Sequence, residues 1–360
     1  MNRPSLSIAI LINDITLPAG TERAVVNLAN NLATHGYQVE IVSMYTRSGE
    51  CFYPLAPGVF VTHVGLHLHS SAGRRFALLL PALLRLAVRR RTHILVGTNH
   101  AVNIGLGLAK ILGLGAQHVA CEHVVYEGAP GYARGLRRWL YPKLNWVVVL
   151  TKGDEEKFQQ LDGLQNVIII PNELPFWPSA PSTLESKRMI AVGHLIERKG
   201  FDLLIDSVAD VLRSMPDWRL TIVGDGEMKE ALKQQISRHG LQQQIELLPP
   251  TREVEQIYLS SSIYLMSSRS EAFGLVLIEA KACGLPIVAY DCHAGPKEIL
   301  TPSDGFLIPM GEQGAYALAV SRLIQDKGLR CQMGANARRD AQRFRREAIY
   351  DRWSRILLKE

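Results

Sequence analysis

Short apolar runs alternate with amphipathic segments along the whole chain, and this alternation limits the possible folds more than any other feature of the sequence. Residues 6–12 form one apolar run, and residues 21–35 then carry apolar side chains at helical spacing. Continuous apolar runs are typical of strands that are buried on both faces of a parallel sheet. The alternation therefore predicts doubly wound parallel sheets of the α/β class, which bind ligands beyond the carboxyl ends of their strands.

The alternation is interrupted once, over residues 171–186, by a segment that holds four prolines, and then starts again. Because 360 residues are too many for one ordinary hydrophobic core, we expect two Rossmann-like domains that face a cleft. The N-terminal domain is predicted over 1–170 and the C-terminal domain over 187–337, joined by a 171–186 linker. A last amphipathic helix, over 338–360, is predicted to pack back on the N-terminal domain.

The apolar runs also predict where the individual strands lie. Those of the first domain are expected at 6–12, 37–44, 93–98, 118–122, 146–150 and 167–170. Those of the second domain are expected at 189–192, 220–223, 245–248, 263–266 and 286–289. Helices are expected between them.

The composition indicates a globular chain, since 47% of the residues are apolar and 21% are charged. Five cysteines, none spaced as C-x-x-C, favour reduced thiols and a cytoplasmic location over a disulfide framework or a zinc ribbon. The apolar run near the N-terminus is too short for a secretory signal. The run over 76–88 contains Pro81 and Arg85 and is too short to cross a bilayer, so we expect no membrane span.

Positive charge is concentrated in the first half of the chain, where the balance is +5 for residues 1–180 and +1 for 181–360. Residues 51–100 hold no acid and six arginines, namely Arg74, Arg75, Arg85, Arg89, Arg90 and Arg91. A second basic group, Arg134, Arg137, Arg138 and Lys143, is interleaved with Leu136, Trp139, Leu140 and Tyr141. This pattern is typical of a helix on an anionic membrane surface or beside an anionic ligand. A solvated helix face is the alternative, and without a recognised motif we expect no binding to nucleic acid.

The segment 267–280, SSRSEAFGLVLIEA, contains the most informative pattern for function. It places Glu271 just before a predicted helix and Glu279 about one and a half turns inside it. The backbone amides of Phe273, Gly274 and Leu275 fall at the helix N-terminus, where free N–H groups and the helix dipole attract phosphate. Carboxylates accept hydrogen bonds from vicinal hydroxyls, so the pattern indicates a sugar nucleotide. The alternative is that both glutamates are ordinary helix acids.

Two further strand-to-helix turns belong to the same predicted domain. In VGHLIERKGF, Arg198 and Lys199 precede a helix and can neutralise a departing diphosphate, although a surface basic pair would look the same. In VGDGE, Gly224 begins a glycine-rich turn that either contacts a ligand or only shapes the chain.

The first domain offers two candidate positions. Gly20 and Thr21 begin a predicted helix after the first strand and place backbone N–H groups where they can bind a nucleotide-sugar. The segment lacks the three glycines of the dinucleotide fingerprint. His123 follows another predicted strand and can bind a hydroxyl or a sugar, or be an ordinary structural histidine. No D-x-D, H-E-x-x-H or paired-cysteine pattern occurs, so we expect no metal site and no cofactor.

Together these segments resemble glycosyltransferase family 4, the group 1 retaining glycosyltransferases with the GT-B fold, over nearly the whole chain. The most specific part is the E-x7-E pattern formed by Glu271 and Glu279 within SRSEAFGLVLIEAKACGLPIVA. The segments AGTERAVVNLANNLATHGYQVEI and VGHLIERKGFDLLI are similar to the opening loop and the phosphate-binding segment of the family. The segment YDCHAGPKEIL resembles a variant found in bacterial transferases that use UDP-galactose or UDP-N-acetylhexosamines on lipid-linked glycans or lipopolysaccharide.

The resemblance implies roles for particular residues. Glu279 would bind the nucleotide ribose and Lys199 the diphosphate, while Glu271 and the 273–275 backbone would hold the donor sugar. His123 would lie on the acceptor side, near the reacting carbon.

The chain departs from the family pattern in two places. His194 stands where many members have arginine, which puts more weight on Arg198 and Lys199. The opening loop has Pro18-Ala19-Gly20 instead of two glycines, so its approach to the ligand need not follow the family.

We therefore expect a retaining, metal-independent hexosyltransferase that moves galactose or an N-acetylhexosamine from a UDP-sugar to a lipopolysaccharide or lipid-linked glycan. It would act at the inner face of the cytoplasmic membrane, attached through its basic N-terminal domain. The alternatives are a UDP-sugar 2-epimerase of the same fold and a non-catalytic, membrane-bound scaffold that binds nucleotide-sugars.

Overall fold

The structure is a computed structural model that describes residues 6–66, 81–82, 92–292 and 294–358. The chain divides into two compact domains. The N-terminal domain comprises Met1–Glu173 and Arg346–Glu360, and the C-terminal domain comprises Leu174–Arg345. The prediction of two α/β domains with parallel sheets is confirmed.

The N-terminal domain is built on a parallel sheet of seven strands in the order β3-β2-β1-β4-β5-β6-β7. The strands are β1 (Ser7–Ile12), β2 (Gln38–Ser43), β3 (Val59–His63), β4 (Ile94–Gly97), β5 (Gln117–Cys121), β6 (Trp146–Val149) and β7 (Val167–Ile169). The strand order reverses its direction between β1 and β4. Apolar clusters cover the sheet, which explains the continuous apolar runs of its central strands.

The C-terminal domain is built on a parallel sheet of six strands in the order β10-β9-β8-β11-β12-β13. They are β8 (Arg188–Val192), β9 (Arg219–Val223), β10 (Ile245–Leu248), β11 (Ile263–Met266), β12 (Ile287–Asp291) and β13 (Gly305–Pro309). Here the order reverses between β8 and β11. Reversals of this kind mark the ligand-binding edge of doubly wound sheets.

Helices connect the strands. In the N-terminal domain they are α1 (Gly20–Thr34), α2 (His100–Ile111), α3 (Gly131–Leu140) and α4 (Lys152–Asp162). In the C-terminal domain they are α5 (Phe201–Ser214), α6 (Lys229–Arg238), α7 (Val254–Leu259), α8 (Leu275–Ala282), α9 (Ala294–Ile299), α10 (Gln313–Gln325) and α11 (Lys327–Ala341). The helix α12 (Arg346–Leu357) returns to the N-terminal domain.

The segment that was predicted to be a linker is mostly packed on the C-terminal domain. The division between the domains falls after Glu173, and residues 174–186 belong to the second domain. Ser182 donates from its backbone N–H to the Cys283 carbonyl at 2.8 Å and from its hydroxyl to the Ser261 carbonyl at 2.6 Å. Prolines made the segment look like a connection, but these contacts hold it in place.

The single helix predicted over 338–360 is replaced by the end of α11, a short turn and α12. The turn Gln342–Phe344 is a 3₁₀ helix, and Arg345 after it has an extended backbone, with φ −64° and ψ 153°. An extended residue cannot continue a helix, so α12 starts anew at Arg346. Its Ile349 and Trp353 are buried in the core of the N-terminal domain.

The second basic group lies on α3 and beyond, and only part of it is exposed. Arg137, expected on a membrane or ligand face, is 1% exposed and pairs with Asp162 at 2.9 Å, with the rings of Tyr126 and Phe158 stacked near its guanidinium. Leu140 and Tyr141 are buried as well. The surface of α3 carries Arg134, Leu136, Arg138 and Trp139.

The six arginines of the first basic group lie outside the described residues, as does His293 of the YDCHAGPKEIL segment. Within the described ranges, no helix combines the length and the apolar character that crossing a membrane requires. All five cysteines have free thiols.

Candidate functional site

The loops that follow β8 and β11 lie side by side at the carboxyl edge of the C-terminal sheet, where the strand order reverses. The first loop runs over 193–200 and the second over 267–274. Ligands of doubly wound sheets bind at this edge and at this reversal. The two segments that the sequence singled out are therefore brought to one place.

Lys199 and Glu271 meet as an ion pair between the two loops. Their Nζ and Oε2 atoms are in hydrogen-bond contact, and the side chains are 14% and 13% exposed. The Ser268 hydroxyl also donates to Oε2 of Glu271, at 3.4 Å. Partial burial reduces screening by salt, so the pair presents fixed charges of both signs at the sheet edge. An ammonium suits a phosphate, and a carboxylate suits hydroxyl groups.

Further hydrogen bonds tie the two loops together around this pair. The Ser267 hydroxyl donates to the Lys199 carbonyl at 3.2 Å, and the Arg269 backbone N–H donates to the Arg198 carbonyl at 2.8 Å. The Arg198 guanidinium, which was predicted to face a diphosphate, donates to the Ser270 carbonyl at 3.2 Å. Arg198 is therefore close to the pair but contacts the backbone of the second loop.

The helix α8 begins directly after the second loop. Gly274 is its N-cap residue and has a φ of +90°, in the left-handed region that favours glycine. The side chain of Phe273 is 4% exposed and packs edge-on against Phe344, with 5.8 Å between the ring centroids. Phe273 and Leu275 thus point their side chains inward, and only their backbone can serve a ligand at the helix N-terminus.

Glu279 lies inside α8, as its spacing from Glu271 predicted. It is 1% exposed, and its Oε2 accepts a hydrogen bond from the Tyr258 hydroxyl at 3.0 Å. Its carboxylate is therefore held deeper in the domain than that of Glu271. Its role toward a ribose stays a prediction.

The turn that follows β9 packs against the loop that contains His194. A Cβ atom on Gly224 would lie 1.9 Å from the Gly193 carbonyl oxygen, so only glycine fits there. The Leu195 N–H also donates to the Asp225 carbonyl at 2.9 Å. This packing accounts for Gly224 without a ligand, and it fixes the backbone on either side of the half-buried His194.

In the N-terminal domain, Gly20 and Thr21 form the start of α1, as predicted to within one residue. The N-cap residue Ala19 makes no side-chain capping bond, and among the described residues no atom outside the local helix backbone and the chain neighbours lies within 4 Å of where a Cβ on Gly20 would be. The fold itself therefore does not require glycine at this position, and the start of the helix is open to a ligand.

His123 lies two residues beyond β5 and lines a cavity of about 30 Å³ together with Cys121, Asn172 and Glu173. This cavity has room for about two waters and is too small for a sugar. Burial lowers the pKa of His123 to about 4, so its imidazole is neutral near pH 7. Within the described part of the chain its ring makes no hydrogen bond, which leaves both ring nitrogens available.

Three charged residues near these positions were not picked out from the sequence. Glu22, at the start of α1, is 6% exposed, and burial raises its pKa to about 7. Arg269 and Asp202 form a bidentate ion pair beside Lys199. All three stand within the quoted segments, but nothing in their spacing showed the contacts that they make.

Among the described residues, no cluster of three or more His, Cys, Asp or Glu side chains is arranged to hold a metal ion. Metal independence of the reaction stays a prediction.

Comparisons with known proteins agree with the resemblance seen in the sequence. The family model for glycosyl transferases group 1 matches residues 178–340, and the model for glycosyltransferase family 4 matches residues 18–173. The amylovoran biosynthesis glycosyltransferase AmsD of Erwinia amylovora is 30% identical over 357 residues, which cover 97% of this chain and 98% of AmsD. The chain belongs to the group 1 glycosyltransferases.

The name of another relative of this group 1 glycosyltransferase states its substrate. This relative is a Campylobacter jejuni α-1,4-N-acetyl-D-galactosaminyltransferase that acts on a glycan linked to undecaprenol diphosphate. The identity is 23% over 349 residues, which cover 94% of each chain.

A solved structure shows the same fold at low identity. The crystal structure of Anabaena HepE in complex with UDP and glucose matches with a TM-score of 0.79 and 19% identity, covering 99% of this chain and all of HepE. The two parallel-sheet domains and this likeness identify the GT-B fold.

Proposed function

We propose that this group 1 glycosyltransferase moves a hexosyl unit, galactose or an N-acetylhexosamine, from a UDP-sugar to a hydroxyl of a membrane-associated glycan, with retention at the anomeric carbon. The observation that carries the proposal is the Lys199–Glu271 pair between the loops at the strand-order reversal, just ahead of the N-terminus of α8. It combines a cation for a diphosphate with a carboxylate for sugar hydroxyls.

Donor binding would rearrange this pair. The diphosphate competes with Glu271 for the Lys199 ammonium, and the N–H groups that begin α8 add their partial positive charge. Glu271, released from Lys199, then accepts hydrogen bonds from hydroxyls of the donor sugar. The burial of the pair supports this exchange, because partly desolvated charges interact more strongly with a ligand than exposed ones do.

The transfer step needs no covalent intermediate with the enzyme. The acceptor oxygen attacks the anomeric carbon on the face from which the diphosphate leaves, so one C–O bond forms as the bond to the β-phosphate breaks. The proton of the acceptor hydroxyl passes to the departing phosphate oxygen. The transition state resembles an oxocarbenium ion, and Lys199 stabilises the negative charge of the leaving group.

The neutral imidazole of His123 suits a single hydroxyl on the acceptor side of this reaction, because the cavity that it lines is too small for a whole sugar. With its pKa lowered to about 4 by burial, it can exchange hydrogen bonds with a hydroxyl without adding charge next to the positively charged sugar. Gly20 and Thr21 would supply backbone N–H groups at the open start of α1.

The relatives support the choice of donor and acceptor. HepE was crystallised with UDP and glucose, and the C. jejuni relative transfers N-acetylgalactosamine to a lipid-linked glycan. By analogy, this chain would use a UDP-sugar and a lipopolysaccharide or lipid-linked acceptor. We propose that it needs no metal, with Lys199 meeting the charge of the diphosphate. It would work at the inner face of the cytoplasmic membrane, held there by the basic side chains of its N-terminal domain.

A screen for UDP release tests the proposal. The protein is incubated with a panel of UDP- and GDP-sugars, each with and without extracted lipid-linked glycans or lipopolysaccharide. We expect acceptor-dependent UDP release from UDP-galactose or a UDP-N-acetylhexosamine, and a product with the anomeric configuration of the donor by NMR. Turnover of GDP-mannose alone would contradict the donor, and an inverted product would contradict the mechanism.

The same screen separates the alternative functions. A 2-epimerase would consume the UDP-sugar without an acceptor and yield its epimer. A scaffold would bind the UDP-sugar and release no UDP with any acceptor. Repeating the productive reaction with excess EDTA tests metal independence, for which we expect an unchanged rate.

A further inference from the structure

Arg269 and Asp202 form a bidentate ion pair at the carboxyl edge of the C-terminal sheet. Arg269 donates from Nη1 to Oδ1 of Asp202 at 2.8 Å and from Nη2 to Oδ2 at 2.6 Å. The side chains are 32% and 28% exposed. Two parallel bonds between a planar guanidinium and a carboxylate fix both direction and distance.

The same guanidinium also holds the turn that carries Lys199. Its Nη1 donates to the Glu197 carbonyl at 2.6 Å, while the Arg269 backbone N–H donates to the Arg198 carbonyl. The turn Glu197–Lys199 is followed by Gly200, which has a φ of +65°. A Cβ atom on Gly200 would lie 2.1 Å from the Ser267 carbonyl oxygen, so the two loops are in direct backbone contact there.

These contacts connect the two loops that carry Lys199 and Glu271. Glu197, Lys199 and Asp202 belong to the first loop and the start of α5, whereas Arg269 and Glu271 belong to the second loop. The Arg269 side chain reaches across the gap to Asp202 and Glu197, so both of its terminal nitrogens are engaged by the protein. Arg269 is therefore suited to hold the loops in register, not to contact a ligand directly.

We propose that Arg269, held by Asp202, is a positioning residue that sets Lys199 at the place where its ammonium meets the donor diphosphate. This inference rests on the proposed function, because it assumes that Lys199 binds the diphosphate. A lysine at position 269 cannot replace arginine, since a single ammonium cannot form the bidentate pair and also reach the Glu197 carbonyl.

UDP itself is the probe for the test, because it carries the diphosphate and needs no acceptor. Its Kd is measured by calorimetry for the wild type, Arg269→Lys, Asp202→Asn, Lys199→Ala and the double variant Arg269→Lys/Lys199→Ala. We expect Arg269→Lys and Asp202→Asn to weaken UDP binding roughly tenfold, the scale of coupling within one hydrogen-bonded network. In the Lys199→Ala background, Arg269→Lys should cause little further loss, because the group that it positions is gone.

The matched control is Lys187→Gln, which removes an ion pair with Asp217 at 2.7 Å on the opposite, amino edge of the same sheet. It should leave the Kd unchanged within about twofold, since exposed ion pairs contribute little. Urea unfolding of every variant measures stability separately from binding.

Two results would overturn the inference. One is an unchanged Kd in Arg269→Lys and Asp202→Asn, including the case in which only their urea midpoint falls. The other is an equal loss from Arg269→Lys with and without Lys199, which would mean that the two residues act independently.

Failure of the proposed function gives a different result. If Lys199→Ala binds UDP as the wild type does, or if the wild type binds no nucleoside diphosphate, Lys199 does not have the role assumed here. If the wild type prefers GDP, the donor proposal fails, and the same variants are compared with GDP as the probe.

Discussion

The two domains share a parallel-sheet design but treat the acids near their carboxyl edges in opposite ways. In the N-terminal domain, burial raises the pKa of both Glu22 and Glu173 to about 7. In the C-terminal domain, Glu271 is paired with Lys199, and Asp202 is paired with Arg269, whose hydrogen bonds lower the pKa of Asp202. Burial thus favours the uncharged form of these two glutamates, whereas a partner cation holds the charge of the two acids in the C-terminal domain.

This difference fits two kinds of ligand group, the neutral hydroxyls of an acceptor and the charged diphosphate of a donor. A fixed ion pair can exchange its partner for an incoming diphosphate at a small cost in free energy, because its charged groups are already oriented. Buried neutral groups suit the hydroxyl groups that an acceptor glycan offers. The comparison therefore agrees with the proposal that the C-terminal domain binds the donor and the N-terminal domain the acceptor.

The largest effect is expected from the charged edge. Lys199→Ala should lower kcat by ~10²–10³, as the loss of one donor to a developing negative charge typically does. The measurement is the steady-state rate of UDP release at saturating donor. Lys187→Ala, on the amino edge of the same sheet, serves as the control and should leave kcat unchanged. A rate for Lys199→Ala close to that of the wild type would show that the Lys199 ammonium does not stabilise the leaving group.

The pH dependence of stability should have opposite signs in the two domains. The pKa of Glu173 rises from 4.5 unfolded to about 7 folded, so its contribution to stability is full below pH 4.5 and is lost as the pH rises to 7. Glu173→Gln should therefore gain stability relative to the wild type over this range, by about 3 kcal/mol. Urea unfolding at pH 4.5, 6 and 8 measures it.

Asp202 provides the contrast for this measurement. Because the pKa of Asp202 is lowered, its contribution is present above the unfolded value of 3.8 and is lost as the pH falls through the folded value. Asp202→Asn should lose stability relative to the wild type at neutral pH and approach it below pH 3.8, so its urea unfolding is also measured at pH 3. The same sign of pH dependence for Glu173→Gln and Asp202→Asn would break the comparison between the domains.

A pair of glycines tests how tightly the charged edge is packed. Gly200 and Gly240 have φ values of +65° and +70°, but only a Cβ on Gly200 would meet another atom within 4 Å. Gly240→Ala should cost about 1–2 kcal/mol from backbone strain alone. Gly200→Ala should cost a further 1–3 kcal/mol, roughly, because the loops must move apart. Equal unfolding free energies for the two variants would show that the 193–200 and 267–274 loops can move apart without a measurable cost in stability.

The smallest effect is expected on membrane binding by exposed apolar side chains. Of the eleven exposed large apolar side chains in the described chain, nine lie in the N-terminal domain, among them Leu136 and Trp139 on α3. Leu136→Ser/Trp139→Ser should reduce flotation with anionic liposomes roughly fivefold, because less apolar surface enters the interface. Phe60→Ser, on β3, is the control. Flotation equal to that of the wild type would remove α3 from the proposed membrane contact.

The basic group outside the described residues is tested in the same assay. Changing Arg85, Arg89, Arg90 and Arg91 to Gln should also reduce flotation, most strongly at low salt. If flotation is unchanged in both sets of variants, the proposed membrane attachment is wrong.

The sequence predicted the central strands well and missed two edge strands. The runs at 146–150 and 263–266 correspond to Trp146–Val149 and Ile263–Met266, because strands buried on both faces are continuously apolar. Val59–His63 and Gly305–Pro309 lie at sheet edges. The first is partly exposed, and the second is bounded by glycine and proline, so neither forms a long apolar run.

For the candidate site, local signals predicted positions at the carboxyl edge of the sheet, whereas they could not predict which side chains contact one another. Strand-to-helix turns mark ligand-binding edges and can be recognised from a single sequence. Such turns hold Glu271, Gly274 and Lys199. The contact between Asp202 and Arg269 joins residues that are 67 positions apart, and only the packing of β8 beside β11 brings them together. The burial of Arg137 likewise depends on Asp162, which helical periodicity on α3 could not reveal.

The return of α12 makes the C-terminal domain an insertion within the N-terminal one. The chain leaves the first domain after Glu173 and re-enters it at Arg346, and the Asn31 amide hydrogen-bonds both the Glu173 carboxylate and the Arg346 carbonyl. A short splice between these two residues would therefore keep the seven strands and α12 of the N-terminal domain in one chain. A truncation after Glu173 would instead remove Ile349 and Trp353 from the core, and the apolar side chains that pack against them would be exposed to solvent.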